Sequence, residues 1–314
     1  MTATPDPHAP RWHVRAPHGW LNDPNGIGRW DGRWHVMYQW NPHAPVWGDI
    51  HWGHASSPDL LRWDHEPVAL APRPGTLDGG GTWSGVAVHD GGDVALVYSA
   101  VRDTAASAGV AVARRGPDGA WVQPDRLAAP HPQVAGVSEV RDPFVLTVDG
   151  RRLGIQGAGT PAGGAVIVYD VADLDDWRPL GTLLAADAVP EGVDAPGQVW
   201  ECPQLVRVGD AWVLLVSWFD RTVAPERLGV TAYTGRLDLA GEGPPVRRRG
   251  LGAVRPRARP VRAAGAGGGR RTGAGVGLVL GGTRPGRARA PGSGGRGRRL
   301  GGCPVVPPGA RAGA

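Results

Sequence analysis

Short apolar runs, separated by turns of polar residues and glycine, recur along the first 245 residues of the chain. Four similar units begin at Asn22, Thr82, Arg141 and Glu201. In each unit a polar residue, followed closely by Pro or Gly, leads into an apolar run, a turn and a second apolar run. The turns read WDGR, DGGD, VDGR and VGDA. This pattern is typical of a β-hairpin, and helical periodicity is scarce. We therefore expect an all-β chain.

The four hairpins follow one another at a nearly constant distance. Their leading residues, Asp23, Ser84, Asp142 and Glu201, are 61, 58 and 59 residues apart. A repeat of this length, with about four strands per unit, is typical of a β-propeller, in which the first strand of each blade lines a central channel. Equivalent positions then converge. We therefore expect the carboxylates of Asp23, Asp142 and Glu201 to face one another at one end of the channel.

The repeat ends near residue 245. Its spacing places another hairpin near residue 260, where the sequence reads RPRARPVRAAGAGGG, and residues 246–314 contain no acidic or aromatic residue. We interpret residues 1–245 as a β-propeller domain with four recognisable blades. Residues 246–314 are interpreted as a low-complexity Gly/Arg/Ala/Pro tail, either disordered or the product of a shifted reading frame.

The charge of the chain changes sign at the same boundary. The net charge of +5 hides 16 arginines in residues 246–314, because residues 1–245 carry 18 basic and 29 acidic residues, a net charge of −11. A nucleic-acid arm is the less favoured interpretation of the tail, since it lacks lysine and aromatic residues. No apolar run is long enough to cross a membrane, no secretory signal is recognisable, and two cysteines cannot form a disulfide framework. We expect a cytoplasmic protein without nucleic-acid or membrane partners.

Converging carboxylates suggest hydrolysis of a glycosidic bond, because one carboxylate can attack the anomeric carbon while a second carboxyl group protonates the leaving oxygen. Glu201 stands between apolar neighbours and near like charges, which raise a carboxyl pKa and favour the acid role. Asp23 lies among Asn22, Asn25 and turn amides, whose hydrogen bonds favour an ionised nucleophile. Cys202 is expected to pack as a small apolar residue.

Other residues near the repeats fit the recognition of a sugar. Asp142 follows Arg141, whose charge is expected to keep Asp142 ionised, so that it can bind sugar hydroxyls as positive charge develops in the transition state. Aromatic faces pack against the C–H faces of sugars, but tryptophan is usually largely buried, so we expect about half of the tryptophans near the motifs to be structural. These tryptophans are Trp20, Trp40, Trp47, Trp52, Trp83 and Trp200.

Six motifs, in order, carry a resemblance to a known family. They are WLNDPNG (20–26), YQWNP (38–42), WGDIHWGHASSPDLLRW (47–63), WSG (83–85), RDP (141–143) and WECP (200–203). Over residues 11–240 the chain resembles glycoside hydrolase family 32, the β-fructofuranosidases: invertases, sucrose-6-phosphate hydrolases, levanases and inulinases. The resemblance implies a five-bladed β-propeller followed by a β-sandwich, a reaction that retains configuration, and no metal or organic cofactor. The fifth blade and the sandwich are not recognisable in this chain.

The resemblance also implies roles for individual residues. Asp23 matches the nucleophile, Asp142 the transition-state stabiliser and Glu201 the acid/base. The positions that match contacts with the fructosyl unit are Asn22, Gln39, Trp47, Trp83, Ser84 and Arg141. The implied substrate is a small sugar: sucrose, sucrose 6-phosphate or a fructo-oligosaccharide.

The chain departs from the family pattern at several positions near these motifs. They are Leu21 in place of a frequent Met, Trp83 in place of a usual Phe, Val140 in place of an aromatic residue, and Gln204 where Asp often follows ECP. The last change removes a negative charge near Glu201, so it is expected to leave the pKa of Glu201 less raised.

Two other functions fit part of the sequence. The first is a degenerate, non-catalytic propeller, which the missing fifth blade suggests. Five-bladed arabinan-cleaving enzymes also use two Asp and one Glu, although the contexts WLNDPNG and WECP favour fructose. His51 and His54 in HWGH are disfavoured as zinc ligands, because no further ligands follow at metal-site spacing.

Overall fold

The computed structural model describes residues 13–132, 134–224, 227–235 and 237, which all lie in one compact unit, residues 1–280. This part of the chain contains fifteen β-strands and two 3-10 turns, at Ala105–Ser107 and Ala186–Ala188. No helix within it is long and apolar enough to cross a membrane. The expected boundary at residue 245 and the tail lie outside the described residues.

The strands fall into four consecutive antiparallel groups, which we call blades; a pairing of Gly159 with Val199 joins the third and fourth groups into one seven-stranded sheet. Blade 1 comprises β1 (Trp20–Trp30), β2 (Arg33–Asn41), β3 (His51–Ser57) and β4 (Asp64–Leu70). Blade 2 comprises β5 (Gly81–Asp90), β6 (Asp93–Val101), β7 (Ala108–Arg115) and β8 (Trp121–Val122). Blade 3 comprises β9 (Glu139–Val148), β10 (Arg151–Thr160), β11 (Gly163–Asp173) and β12 (Asp176–Ala185). The described part of blade 4 comprises β13 (Val199–Val208), β14 (Ala211–Phe219) and β15 (Gly229–Gly235). The expected all-β, propeller-like fold is confirmed.

The turns of the predicted hairpins have the backbone that their sequences favour. In WDGR, Asp31 and Gly32 have φ of 50° and 74°, and in VDGR, Asp149 and Gly150 have φ of 49° and 81°. Positive φ at both central residues is typical of the two-residue type I′ turn, whose twist matches that of the flanking strands. The local sequence therefore sets the pairing of β1 with β2 and of β9 with β10.

Apolar side chains fill the spaces between successive blades. Representative pairs, one for each space, are Trp52 and Leu96, Val97 and Ile167, and Ile155 and Leu214. Full burial of such a side chain contributes about 1.5–3 kcal/mol to folding. Blade packing is therefore the main source of stability, and it brings the first strands of the blades together.

The first strand of each blade departs from regular pairing at its leading residue or directly after it. The register shifts at residues 22–23 of β1, 84 of β5, 142–143 of β9 and 202–203 of β13. Asp142 and Cys202 also have left-handed φ, of 56° and 46°. A β-bulge bends its strand and re-aims the local side chain. The site residues therefore lie on irregular backbone and do not follow the alternation of a strand.

Candidate active site

The first strands of the four blades lie side by side: β1 contacts β5, β5 contacts β9, and β9 contacts β13. This arrangement joins residues of different blades around Asp23. Ser84 Oγ donates a hydrogen bond to Asp23 Oδ2 at 2.9 Å and accepts one from the side-chain amide of Gln39. Asn22 Nδ2 donates to Gln39 Oε1 at 3.0 Å. Four of the predicted site residues thus form one hydrogen-bonded chain.

The asparagines beside Asp23 have partners other than the one we expected. Trp20 Nε1 donates to Asn22 Oδ1 at 2.9 Å, and the Gly85 N–H donates to Asn25 Oδ1 at 3.4 Å. The donor to Asp23 comes instead from β5, because blade packing brings the serine hydroxyl of that strand against the carboxylate. Asn25 serves to hold β1 against β5.

Cys202 links the carboxylates of Asp23 and Asp142. Its backbone N–H donates to Asp142 Oδ2 at 2.9 Å, and its Sγ lies 3.5 Å from the same oxygen and 4.0 Å from Asp23 Oδ2. Burial, reinforced by the nearby carboxylates, raises the pKa of the thiol well above its usual range. The thiol therefore stays protonated and can donate a hydrogen bond. Our expectation of simple apolar packing missed this polar role.

Arg141, which precedes Asp142 on β9, reaches across to Glu201 on β13. Its Nη1 donates to Glu201 Oε1 at 2.7 Å, and its Nη2 forms an ion pair with Glu139. Its guanidinium carbon lies 5.2 Å from the centre of the Trp83 ring, within the range of a cation–π contact. Arg141 is buried, so these contacts hold it in one position and align it on Glu201.

Glu201 has the electrostatic surroundings of a proton donor. Burial raises the pKa of Glu201 above its ordinary value, and the nearby charges of Asp142 and Asp23 raise it further. The cation of Arg141 opposes this shift without cancelling it. The predicted direction of the pKa shift is confirmed, and it persists with Gln204 in the place of a family aspartate.

Arg141 favours the ionised form of Asp142, as expected, but burial outweighs this effect and the pKa of Asp142 rises to about 6. Burial raises the pKa of Asp142, and the charge of Asp23 adds to this effect; the cation of Arg141 lowers the pKa by less. The terminal nitrogens of Arg141 donate to Glu201 and Glu139, and not to Asp142. Asp142 is instead supported by the backbone N–H of the residue after Glu201.

The six tryptophans near the motifs divide evenly between core and site, as expected. Trp40, Trp52 and Trp200 are buried. Trp20, Trp47 and Trp83 keep access to solvent. Trp47, on the loop between β2 and β3, is half exposed and meets Trp83 edge to face, with ring centroids 5.6 Å apart. The aromatic rings of Trp47 and Trp83 therefore extend the site outward from Arg141.

The histidines of HWGH do not form a pair. His54 lies 2.9 Å from His35, Nε2 to Nδ1, and burial lowers the pKa of His54 to about 4, so these two rings are neutral partners. His51 instead lies near His43 and Asp49 on the loop before β3, where potential ligand atoms of the three residues come within 4.8 Å of one another. His43 and Asp49 are exposed and contact each other at 3.3 Å.

Comparison with known families agrees with this geometry. Residues 13–242 match the model of the glycosyl hydrolases family 32 N-terminal domain. The chain belongs to glycoside hydrolase family 32. The matched range contains all four blades and every predicted site residue.

Curated members of family 32 are similar to this chain over about two thirds of its length. It is 37% identical over 218 residues to a sucrose-6-phosphate hydrolase of Klebsiella pneumoniae, covering 68% of this chain and 46% of the relative. It is 34% identical over 221 residues to a raffinose invertase of Escherichia coli, covering 66% of this chain and 43% of the relative. The chain thus spans about half the length of the curated relatives it matches.

Solved structures of family 32 share the same blades. The β-fructofuranosidase of Bombyx mori, solved as a mutant in complex with sucrose, superposes with a TM-score of 0.62 and 29% identity, covering 73% of this chain and 49% of that one. The sucrose-6-phosphate hydrolase of Lactobacillus gasseri superposes with a TM-score of 0.63 and 25% identity, covering 81% of this chain and 49% of that one.

This family 32 site also contains residues that the sequence analysis missed. Ser99 accepts a hydrogen bond from the Asp142 N–H at 2.6 Å and donates one to the Ser84 carbonyl oxygen at 3.1 Å, which ties β9 to β5. Glu139 binds Arg141 from the start of β9. Ser99 carries no local signal, whereas an acidic residue two positions before RDP is visible in the sequence.

Proposed function

We propose that this protein is a retaining glycosidase that releases terminal non-reducing β-D-fructofuranosyl units from sucrose or a related fructoside. The observation that carries the proposal is the cluster of Asp23, Asp142 and Glu201, held through Cys202 and Arg141 at the first strands of three blades. The names of its relatives, which include sucrose-6-phosphate hydrolases and a raffinose invertase, support fructosides as the substrate class.

In the first step Asp23 attacks the anomeric carbon of the fructosyl unit, and the bond to the leaving oxygen breaks. Ser84 donates a hydrogen bond to Asp23 Oδ2, which orients the carboxylate for attack. Glu201 gives its proton to the leaving oxygen, which departs as a neutral hydroxyl group. A raised pKa suits this role, because the group must hold a proton near neutral pH.

In the second step the covalent fructosyl ester on Asp23 is hydrolysed. Glu201, now ionised, takes a proton from a water molecule, whose oxygen attacks the anomeric carbon from the vacated face. The ester bond breaks, Asp23 leaves as a carboxylate, and Glu201 is protonated again. Two inversions at one carbon give net retention of configuration.

The remaining residues bind and stabilise the sugar in this proposal. Asp142 accepts hydrogen bonds from fructosyl hydroxyls, which strengthen as positive charge develops on the ring. Asn22 and Gln39 hold Asp23 through Ser84 and offer amide groups to the same hydroxyls. The faces of Trp47 and Trp83 pack against sugar C–H groups, as aromatic residues do in carbohydrate sites.

The proposal is tested with the full chain and two variants, Asp23→Asn and Glu201→Gln. Removing the nucleophile is expected to abolish release of fructose from sucrose. Removing the acid/base group is expected to lower kcat by about 10²–10⁴-fold. Normal hydrolysis by Asp23→Asn would contradict the assignment. Parallel assays on sucrose, sucrose 6-phosphate, inulin and an arabinoside identify the substrate. Activity on the arabinoside alone would assign the protein to the arabinan-cleaving enzymes instead.

One observation favours the non-catalytic alternative: the sequence repeat is not recognisable after residue 245. Purified protein that unfolds cooperatively on heating, binds fructose and hydrolyses none of these substrates would support it. The expected location in the cytoplasm also stays a prediction, which fractionation of the producing cells can test.

A further inference from the structure

A buried acidic residue outside the proposed machinery lies next to the proton donor's arginine. Glu139 begins β9, and its side chain is 9% exposed. Its Oε2 pairs with Arg141 Nη2, and its Oε1 accepts a bond from Arg221 Nη2 at 2.6 Å. A buried carboxylate is costly unless it is paired. Here both oxygens of one carboxylate bind cations from two different blades.

Arg221 joins this arrangement from the segment after β14. Its side chain is about half exposed, its Nη1 donates to Gln198 Oε1 at 3.3 Å, and its guanidinium carbon lies 5.5 Å from the centre of the Phe219 ring. The charges therefore alternate along one line of contacts: Arg221, Glu139, Arg141 and Glu201. Such a line transmits charge effects, because the inner members are poorly screened by solvent.

Arg141 by itself favours loss of the proton from Glu201, because an adjacent cation stabilises a carboxylate. The negative charge of Glu139 binds the same guanidinium and offsets that cation. It also fixes the guanidinium through a second contact, so that Arg141 stays aligned on Glu201.

We propose that Glu139 is a positioning and charge-balancing residue for Glu201, which it holds in the protonated, proton-donating form through Arg141, and that Arg221 opposes this effect. The inference rests on the proposed function for its consequence in catalysis. It predicts opposite effects for the loss of the two charges, which a merely structural role for either residue does not.

Several charged and titratable groups around Glu201 influence its titration. Glu201 is influenced by Arg141 and Asp142 from β9 and by Asp23 from β1, and Cys202 follows it on β13. Burial is the largest cause of its raised pKa, and the cation of Arg141 is the largest opposing cause. A change in the charge that balances Arg141 therefore alters the strongest influence that lowers the pKa of Glu201.

The test compares the pH profile of kcat/KM for sucrose in the full chain, Glu139→Gln and Arg221→Gln. The basic limb reports loss of the proton from the acid. Glu139→Gln keeps the shape and an acceptor oxygen but loses the charge, so the basic limb is expected to move to lower pH by roughly 0.5–1.5 units. Arg221→Gln is expected to move it to higher pH. Glu139→Asp, which restores the charge, is expected to return the limb toward that of the unchanged protein.

A second readout is independent of activity. The chain has six glutamates, so ¹³C labelling of glutamate gives few side-chain carboxyl signals. The Glu201 signal is identified by its loss in Glu201→Gln, and its titration is followed by NMR in the other variants. Opposite shifts of the Glu201 titration in a protein that hydrolyses none of the fructosides tested would support the charge balance while contradicting the proposed function.

Three results would overturn the inference: no shift in either variant, shifts in the same direction, or a loss of kcat/KM that is equal at all pH values. If Glu139→Gln does not fold, Arg221→Gln decides alone. The Arg221 side chain is half exposed, and Glu139 keeps its ion pair with Arg141 when Arg221 is replaced, so no buried charge is left unpaired.

Discussion

At the scale of single residues, the site works through the contrast between three acidic groups at close quarters. Asp23 accepts a hydrogen bond from the Ser84 hydroxyl, and Asp142 accepts one from the Cys202 N–H. Glu201 accepts one from the Arg141 guanidinium. Burial raises the pKa of both Asp142 and Glu201. Like charges this close favour retention of a proton within the cluster, which is the condition that a proton donor needs at neutral pH.

The raised pKa of Glu201 also predicts a pH-dependent effect on stability. The folded protein binds this proton up to a higher pH than the unfolded chain, so stability falls as the pH rises through the raised pKa. Glu201→Gln removes that loss. We expect the variant to have a higher Tm than the unchanged protein at pH 8 and little advantage at pH 4.

This prediction is checked by thermal unfolding, followed by circular dichroism, at pH 4, 6 and 8. Glu191→Gln is the matched control, because Glu191 is an exposed glutamate in a loop. A difference in Tm between Glu201→Gln and the unchanged protein that is equal at all three pH values would contradict the prediction.

At the scale of elements, the bulges in the first strands decide where the site residues lie. The bulge at Ser84 depends on Gly85, whose backbone packs against β6: a Cβ there would lie 2.0 Å from the Val97 carbonyl oxygen. A contact of that length cannot form, so any side chain at this position forces β5 away from β6. Displacement of β5 would carry Ser84 away from Asp23.

Gly85→Ala is therefore expected to lower the free energy of unfolding by about 1–3 kcal/mol, the usual cost of overpacking, and to reduce sucrose hydrolysis. Gly229→Ala is the matched control, because the nearest atom to a Cβ at Gly229, in the first position of β15, lies at 3.5 Å, an ordinary contact. Urea unfolding measures both. Equal stability of the two variants would mean that β5 tolerates the displacement.

At the scale of the whole molecule, buried polar residues connect blades that apolar contacts hold together. Asp78, in the segment between β4 and β5, is fully buried and accepts hydrogen bonds from several side chains. These donors are Arg73, Thr76, Tyr98 and Gln123. Gln123 also binds the Ala71 backbone. Asp78 thus secures the passage of the chain from blade 1 to blade 2.

Although burial opposes ionisation of Asp78, its hydrogen-bond donors prevail and lower its pKa. A lowered folded pKa contributes stability above the unfolded pKa that is lost as the pH falls. Asp78→Asn is expected to cost about 3 kcal/mol at pH 7, as the loss of one partner of a buried ion pair does, and less at pH 3. Urea unfolding at both pH values measures this, with the exposed Asp125→Asn as control. A cost that is the same at pH 3 and pH 7 would assign the effect to shape rather than charge.

The sequence by itself determined the all-β class, the four hairpins and the candidate residues Asp23, Asp142 and Glu201. These are local properties: apolar runs and turns such as WDGR act over a few residues, and a constant spacing implies equivalent positions in a repeat. It also indicated the direction of the Glu201 pKa shift, because apolar neighbours and like charges were visible in the chain.

Only the tertiary structure decided which groups meet across blades. Ser84 rather than an asparagine binds Asp23, Cys202 joins two carboxylates, and Arg141 turns from Asp142 to Glu201 and Glu139. These contacts join residues about 60 or more positions apart, or depend on bulges that break the alternation of a strand. No local pattern encodes them, because they result from how packed blades and re-aimed side chains share one small, poorly solvated volume.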